Sequence, residues 1–141
     1  LKVRNKVKNP FPLLKLGATT YGFQDIIDHF RRESGPRGRW KRRKPSTQKS
    51  YERRKKTDSR YSPTNKLLQL TGNLRKSLLP EGGSLKRRGK FGIMLFTDIK
   101  YAGKHNKGDR ARRIPRREFM WLSNRAARKM INLFARGLVK N

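Results

Sequence analysis

Cysteine is absent from the 141 residues. That excludes disulfides, thiolate catalysis and cysteine-based zinc sites. Acidic residues are scarce, with nine Asp and Glu against 39 Lys and Arg. No apolar run approaches the length of a membrane span, and no signal peptide is visible. A soluble protein of a cytoplasm, or of something assembled there, is expected. The chain opens on Leu1 rather than Met, so a few preceding residues are expected too.

What is present in excess is positive charge, a formal net +30 with 34% charged residues. Such a chain repels itself and seeks a polyanion or acidic neighbours. Nucleic acid is the default partner, because neutralising phosphates releases counterions. The length suits one domain with a modest core. A mean hydropathy of −1.01 is low for a chain that folds alone. Part of it is therefore expected to be extended, or ordered only against partners.

Residues 1–18 mix Lys and Arg with Pro10 and Pro12 and read as an extended basic arm. Residues 19–141 read as a single domain. Phe23, Ile26, Ile27 and Phe30 fall on one stripe of an amphipathic helix. Thr19 or Thr20 is its expected cap, and Ser34-Gly35-Pro36 its stop. Residues 37–61 then read as a long basic loop, with at most a helical turn near Tyr51. Ser62-Pro63 predicts a helix start, Leu67, Leu68 and Leu70 its apolar face, and Gly72 its end or bend. Residues 74–80 fit a strand or a further helical turn. Residues 81–90 read as a hairpin-like connection, and 91–97 as the best strand, apolar on both faces and so expected to be central. Ser123 caps a last helix with Ala127, Met130, Ile131, Phe134 and Leu138 in one stripe. The fold class is α+β, a small antiparallel sheet flanked by N-terminal and C-terminal helices.

No residue constellation points to catalysis, and no cofactor or metal ligand set is expected. His29 and His105 lack sequence partners for a metal site or a triad. Asp25 and Asp28 lie beside Arg31 and Arg32, which suits a salt-bridged helix surface. Gly35-Pro36-Arg37-Gly38 and Gly82-Gly83 lack the spacing of a phosphate-binding loop and read as turns. The basic stretch is the broad functional signal. Arg39, Lys41, Arg42, Arg43, Lys44, Arg53, Arg54, Lys55 and Lys56 are candidate polyanion contacts. Trp40, Tyr51 and Tyr61 among them could stack on bases.

Four islands of sequence remain, in a distinctive order. They are Glu33 to Gly38 with Trp40; Leu70-Thr71-Gly72-Asn73-Leu74 with Ser77; Tyr101-Ala102 with His105 and Gly108; and Ile114-Pro115-Arg116-Arg117-Glu118-Phe119. Singly, each reads as a helix end, a core contact or a turn. In this order they resemble the phage virion morphogenesis family, also called tail completion proteins and similar to phage head–tail joining proteins. The resemblance runs from about residue 19 to the C-terminus. The segment 41–66 is more basic than the family pattern, and the first arm has no counterpart.

The resemblance implies a non-enzymatic structural protein that completes the tail and joins it to the DNA-filled head. It implies a ring of copies of this chain, a hexamer among the options, beside tail tube or terminator proteins and head-connector proteins. The location implied is the neck of a virion assembled in the host cytoplasm. Non-specific DNA contact is suggested by the charge rather than by the motifs. A nucleic-acid-binding module, such as a ribosomal-type RNA binder, is the alternative.

Overall fold

Prolines at positions 10 and 12 open a helix instead of extending an arm. A computed structural model of the chain describes residues 9–61, 66–69, 71–79 and 85–139. In it α1 spans Phe11–Gly17, with Pro10 at its N-cap and Pro12 in its first turn. There a missing N–H costs no hydrogen bond. The extended arm expected over 1–18 is thus corrected over 11–17. The chain passes without a break through a π-helical turn, Ala18–Gly22, into α2, Phe23–Arg32. The caps expected at Thr19 or Thr20 have no role in mid-helix; the Thr19 hydroxyl donates back to the Lys15 and Leu16 carbonyls.

Phe23, Ile26 and Phe30 are buried along the expected stripe of α2. The helix stops at Glu33, which is left-handed at φ 51°. That conformation is unfavourable without a glycine, and the side chain has compensating work. Its carboxylate accepts the Leu67 N–H and pairs with Arg42 at 2.8 Å. A tight hairpin follows, β1 (Ser34–Gly35) against β2 (Gly38–Arg39). Gly35 is required there, because a Cβ would stand 2.6 Å from the Glu118 carbonyl oxygen.

The basic loop expected over 37–61 contains a thirteen-residue helix, α3, Pro45–Thr57. None of its residues is buried. Its cause is local: Pro45 at the first position, straight-chain Gln, Lys, Glu and Arg, and Arg54, Lys55 and Lys56 at the negative end of the helix dipole. The Gln48 amide also donates to Glu52 one turn on, at 3.0 Å.

The leucine helix expected from Ser62 is corrected where it is described; Ser62, Pro63 and Leu70 lie outside the described residues. Leu67 and Leu68 form a turn, with Leu68 left-handed at φ 59°. The Gln69 amide donates to the Phe30 carbonyl at 3.0 Å, satisfying a group that the end of α2 leaves free. Gly72, at φ 75°, leads into the short helix α4, Asn73–Lys76, rather than ending a longer one. Leu74 and Leu78 are buried.

β3 (Leu85–Arg88) and β4 (Gly92–Leu95) form an antiparallel hairpin, with Leu85 opposite Leu95. The central strand expected over 91–97 is corrected to this shorter member of a two-stranded pair. Phe91 is 61% exposed, and Lys86, Arg87 and Arg88 are too charged to lie between two layers. α5 is Ala102–Lys107 and α6 is Asn124–Val139.

Ser123 caps α6 as expected, its Oγ accepting the Ala126 N–H at 3.2 Å. The packed stripe is turned from the expected one. Met130 and Leu133 face Gly17, and Gly137 lies against Leu13, while Ile131 is 65% exposed. The small residues Gly17, Ala18 and Gly22 create the groove that sets this rotation. The fold is α+β, with two small antiparallel hairpins among helices in the described residues. Its core joins Ile26, Phe30, Trp40, Leu67, Leu74, Leu78, Ala102 and Phe119.

Candidate functional site

The four islands, scattered through the chain, meet in space. Trp40 and Phe119 both pack on Phe30, the first edge-on at 5.7 Å between ring centroids and the second tilted at 5.4 Å. The Trp40 indole N–H donates to the Glu118 carbonyl at 3.1 Å, tying the first island to the last. The third and last islands are laced through the backbone. The Arg117 N–H donates to the His105 carbonyl at 2.7 Å, and Asn106 Oδ1 accepts the N–H groups of Phe119 and Met120. Asp109 and Ile114 exchange both backbone bonds. Gly108, at φ 81°, presses on the Arg116 backbone, where a Cβ would come within 3.1 Å.

The second island joins them through Leu74, in the core beside Ala102, and through Thr71. Thr71, Tyr101, His105 and Arg117 line one cavity of about 280 Å³. Ser77 lies apart from that cavity; its hydroxyl bridges the Leu74 carbonyl and the Thr97 hydroxyl. Pro115 is half-buried beside Ile114.

A cluster at the start of α6 has catalytic residue types but a structural geometry. Asp25 accepts the Ser123 N–H at 2.7 Å and the Ser123 hydroxyl at 2.8 Å. His29 Nε2 lies 3.5 Å from the same carboxylate, faces the Trp121 carbonyl at 3.3 Å and stacks its ring on Trp121 at 4.4 Å. The serine therefore gives its proton to the carboxylate and not to the imidazole, the reverse of the order that activates a nucleophile. What the carboxylate does is hold the N-terminus of α6, where negative charge is favourable. Burial lowers the pKa of His29, with Asp25 opposing. Among the described residues no group of His, Asp and Glu is placed to hold a metal ion.

A cationic cleft of about 740 Å³ opens beside the framework of islands. One wall carries Lys41, Arg42, Arg43 and Lys44 with Tyr51 of α3. The other carries Arg110, Arg112, Arg113 and Arg117 with His105. Asp109 is the single carboxylate lining it among the described residues, and Arg112 engages that group at 2.8 Å. Arg117 is only 6% exposed, and its Nε donates to the Lys41 carbonyl across the cleft at 3.1 Å. Burial, and then the nearby Arg43 guanidinium, lower its pKa, yet a guanidinium stays charged at neutral pH. Burial and Arg117 likewise lower the pKa of His105, whose Nδ1 is buried without a hydrogen-bond partner among the described residues.

The nine basic candidates therefore divide. Residues 41–44 line the cleft. Arg39 lies exposed on β2; Arg53, Arg54 and Lys56 are exposed on α3, and Lys55 is half-buried there. The expectation of stacking aromatics is corrected at Trp40 and narrowed to one face at Tyr51. Trp40 is a core residue, and one face of Tyr51 is covered by Arg43, 4.3 Å from the ring centroid. Tyr61 is half-buried, its hydroxyl 3.5 Å from Arg54.

Sequence reasoning missed Arg110, Arg112 and Arg113, although the run Asp109-Arg110-Ala111-Arg112-Arg113 carries three cations in five residues. It also missed the clamp between Asp25 and Ser123, 98 residues apart, for which no local pattern exists. Among the described residues no helix is long and apolar enough to cross a membrane. No family model, curated protein or solved structure matches the chain.

Proposed function

We propose that this chain is a non-catalytic structural protein of a phage particle, completing the tail at its head-proximal end and joining it to the DNA-filled head as one subunit of an oligomeric ring. The observation that carries this reading is the convergence of the four islands. Trp40, Leu74, Ala102 and Phe119 share one core, while His105, Gly108, Ile114 and Arg117 order the loop beside it. Residues that resemble a family's motif thus build one framework instead of lying unrelated on the surface.

The rest of the molecule suits assembly. A small core with a thirteen-residue helix that buries nothing gains order when neighbours cover it. Exposed Phe91, Leu16 and Ile131 offer apolar contacts between subunits. The test is imaging of particles made without this protein. Headless tails beside filled, tailless heads are expected, and normal virions would overturn the reading. A second reading, a nucleic-acid-binding module of the ribosomal type, is favoured by the cationic cleft. It predicts a monomer that binds structured RNA tightly and never joins a particle.

A further inference from the structure

We infer that the cleft between residues 41–51 and 109–117 is a binding site for the phosphodiester backbone of a nucleic-acid duplex, held by charge and indifferent to base sequence. This inference does not depend on the particle role proposed above.

Among the described residues eight cationic side chains line the cleft against one carboxylate, which is paired with Arg112, while Glu33 from outside the lining pairs with Arg42; the cations still outnumber these two carboxylates by six. Among the described residues no carboxylate forms an ion pair with Arg117. Like charges gathered around one opening raise the free energy of the empty protein, and an external anion relieves it. Arg117 is fixed by its bond to the Lys41 carbonyl, so part of the side-chain ordering is complete before a ligand arrives.

The lining also selects the kind of anion. An acidic protein partner needs apolar anchors at the centre of its interface, and apart from Tyr51 the cleft offers chiefly Ile114 and Pro115. A single strand gains much of its affinity by stacking bases on aromatic faces. Trp40 is buried in the core, and Arg43 already covers one face of Tyr51. What is left is a row of guanidinium and ammonium donors, which suits a repeated phosphate at a duplex surface. The described lining carries no amide side chain, and its carboxylate, Asp109, is engaged by Arg112, so the contacts that read adenine and cytosine edges are not on offer.

The test is anisotropy of a labelled duplex of about 20 base pairs with the full chain, titrated at several salt concentrations. Arms with RNA duplex, the separated single strand and polyglutamate as competitor distinguish the sources of negative charge. The decisive variant is Lys41→Glu, Lys44→Glu and Arg110→Glu together. Its control, Arg125→Glu, Arg128→Glu and Arg136→Glu, makes the same charge change on exposed positions of α6.

The cleft variant is expected to lower the salt slope by about 2 to 3 and to weaken binding on the order of 100-fold near 0.1 M salt. The control is expected to lose less than about 5-fold, since its charges act only through the screened overall field. The corresponding Gln triple at 41, 44 and 110 should fall between them, and it supplies the answer if charge reversal prevents folding. Equal losses in cleft and control variants would overturn the site, leaving net charge as the only cause. Polyglutamate competing as well as duplex would overturn the choice of nucleic acid, and a preference for single strand would overturn the duplex.

Discussion

Helix α2 spans ten residues and buries four of them, whereas α3 spans thirteen and buries none. The two form for different reasons. Ile26 and Phe30 make α2 one wall of the core, so removing its surroundings removes its cause. Helix α3 rests on propensity, a proline start and its own side-chain bonds, which leave a thirteen-residue helix marginal in water. One tie to the rest runs through Arg43, which donates to the Lys66 carbonyl at 2.7 Å and to Gln48 at 3.2 Å. One half of this molecule is thus specified by what it hides, the other by charge that it leaves facing outward.

The largest expected effect that would break this contrast is on the core side. Phe119→Ala should cost about 3–5 kcal/mol, because Phe119 is fully buried and packs on Phe30. Urea unfolding measures it; a cost under about 1 kcal/mol would show that the islands do not share a core.

Next is Asp25→Ala, which strips partners from the Ser123 N–H and hydroxyl and from His29. A loss of about 1–3 kcal/mol is expected. Asp25→Asn should restore part of it, since one amide oxygen can still accept a bond. Equal losses in both variants would point to the charge beside the α6 dipole as the whole contribution.

A third probe is pH. The folded pKa values of His29 and His105 lie below the ordinary 6.5, chiefly through burial. As pH falls below about 6.5 the unfolded chain takes up protons first, so stability should drop, levelling once the folded pKa values are passed. Thermal midpoints between pH 7.5 and 5 report this. A midpoint that rises on acidification would mean that the carboxylate of Asp25 outweighs burial.

The smallest effect is expected on α3. Arg53→Ala with Lys56→Ala should change unfolding by no more than about 0.5 kcal/mol. Backbone amides of α3 should exchange with solvent well before those of α2, and slow down when a duplex occupies the cleft. An α3 as protected as α2 in the free chain would remove the contrast between the two helices.

Elements with a local cause were legible in the sequence. The 3.6-residue stripe located the buried face of α2, and Ser123 announced α6. Local signs misled where one residue type serves two structures. Pro10 and Pro12 read as an extended arm but open α1. Leu67 and Leu68 read as a helix face, yet the turn they form puts Leu67 into the core and frees Gln69 for the carbonyl at the end of α2. Helix α3 was missed because a helix without a buried face has no hydrophobic period to detect. The stripe of α6 was misplaced by one position because its neighbour, not its own pattern, chose the face. Gly17 and Gly22 open the groove that Met130 approaches.

By itself the sequence determined the α+β class, the excess of cations and the absence of cysteine chemistry, all of which follow from composition and short-range pattern. Only the tertiary structure brought the four islands into one core, set the Asp25 carboxylate at the head of α6, and closed a cleft between Lys41 and Arg117. Those last two residues are 76 positions apart. Periodicity and propensity act over a few turns of chain, whereas a site made of charge depends on distance through space, which packing alone sets.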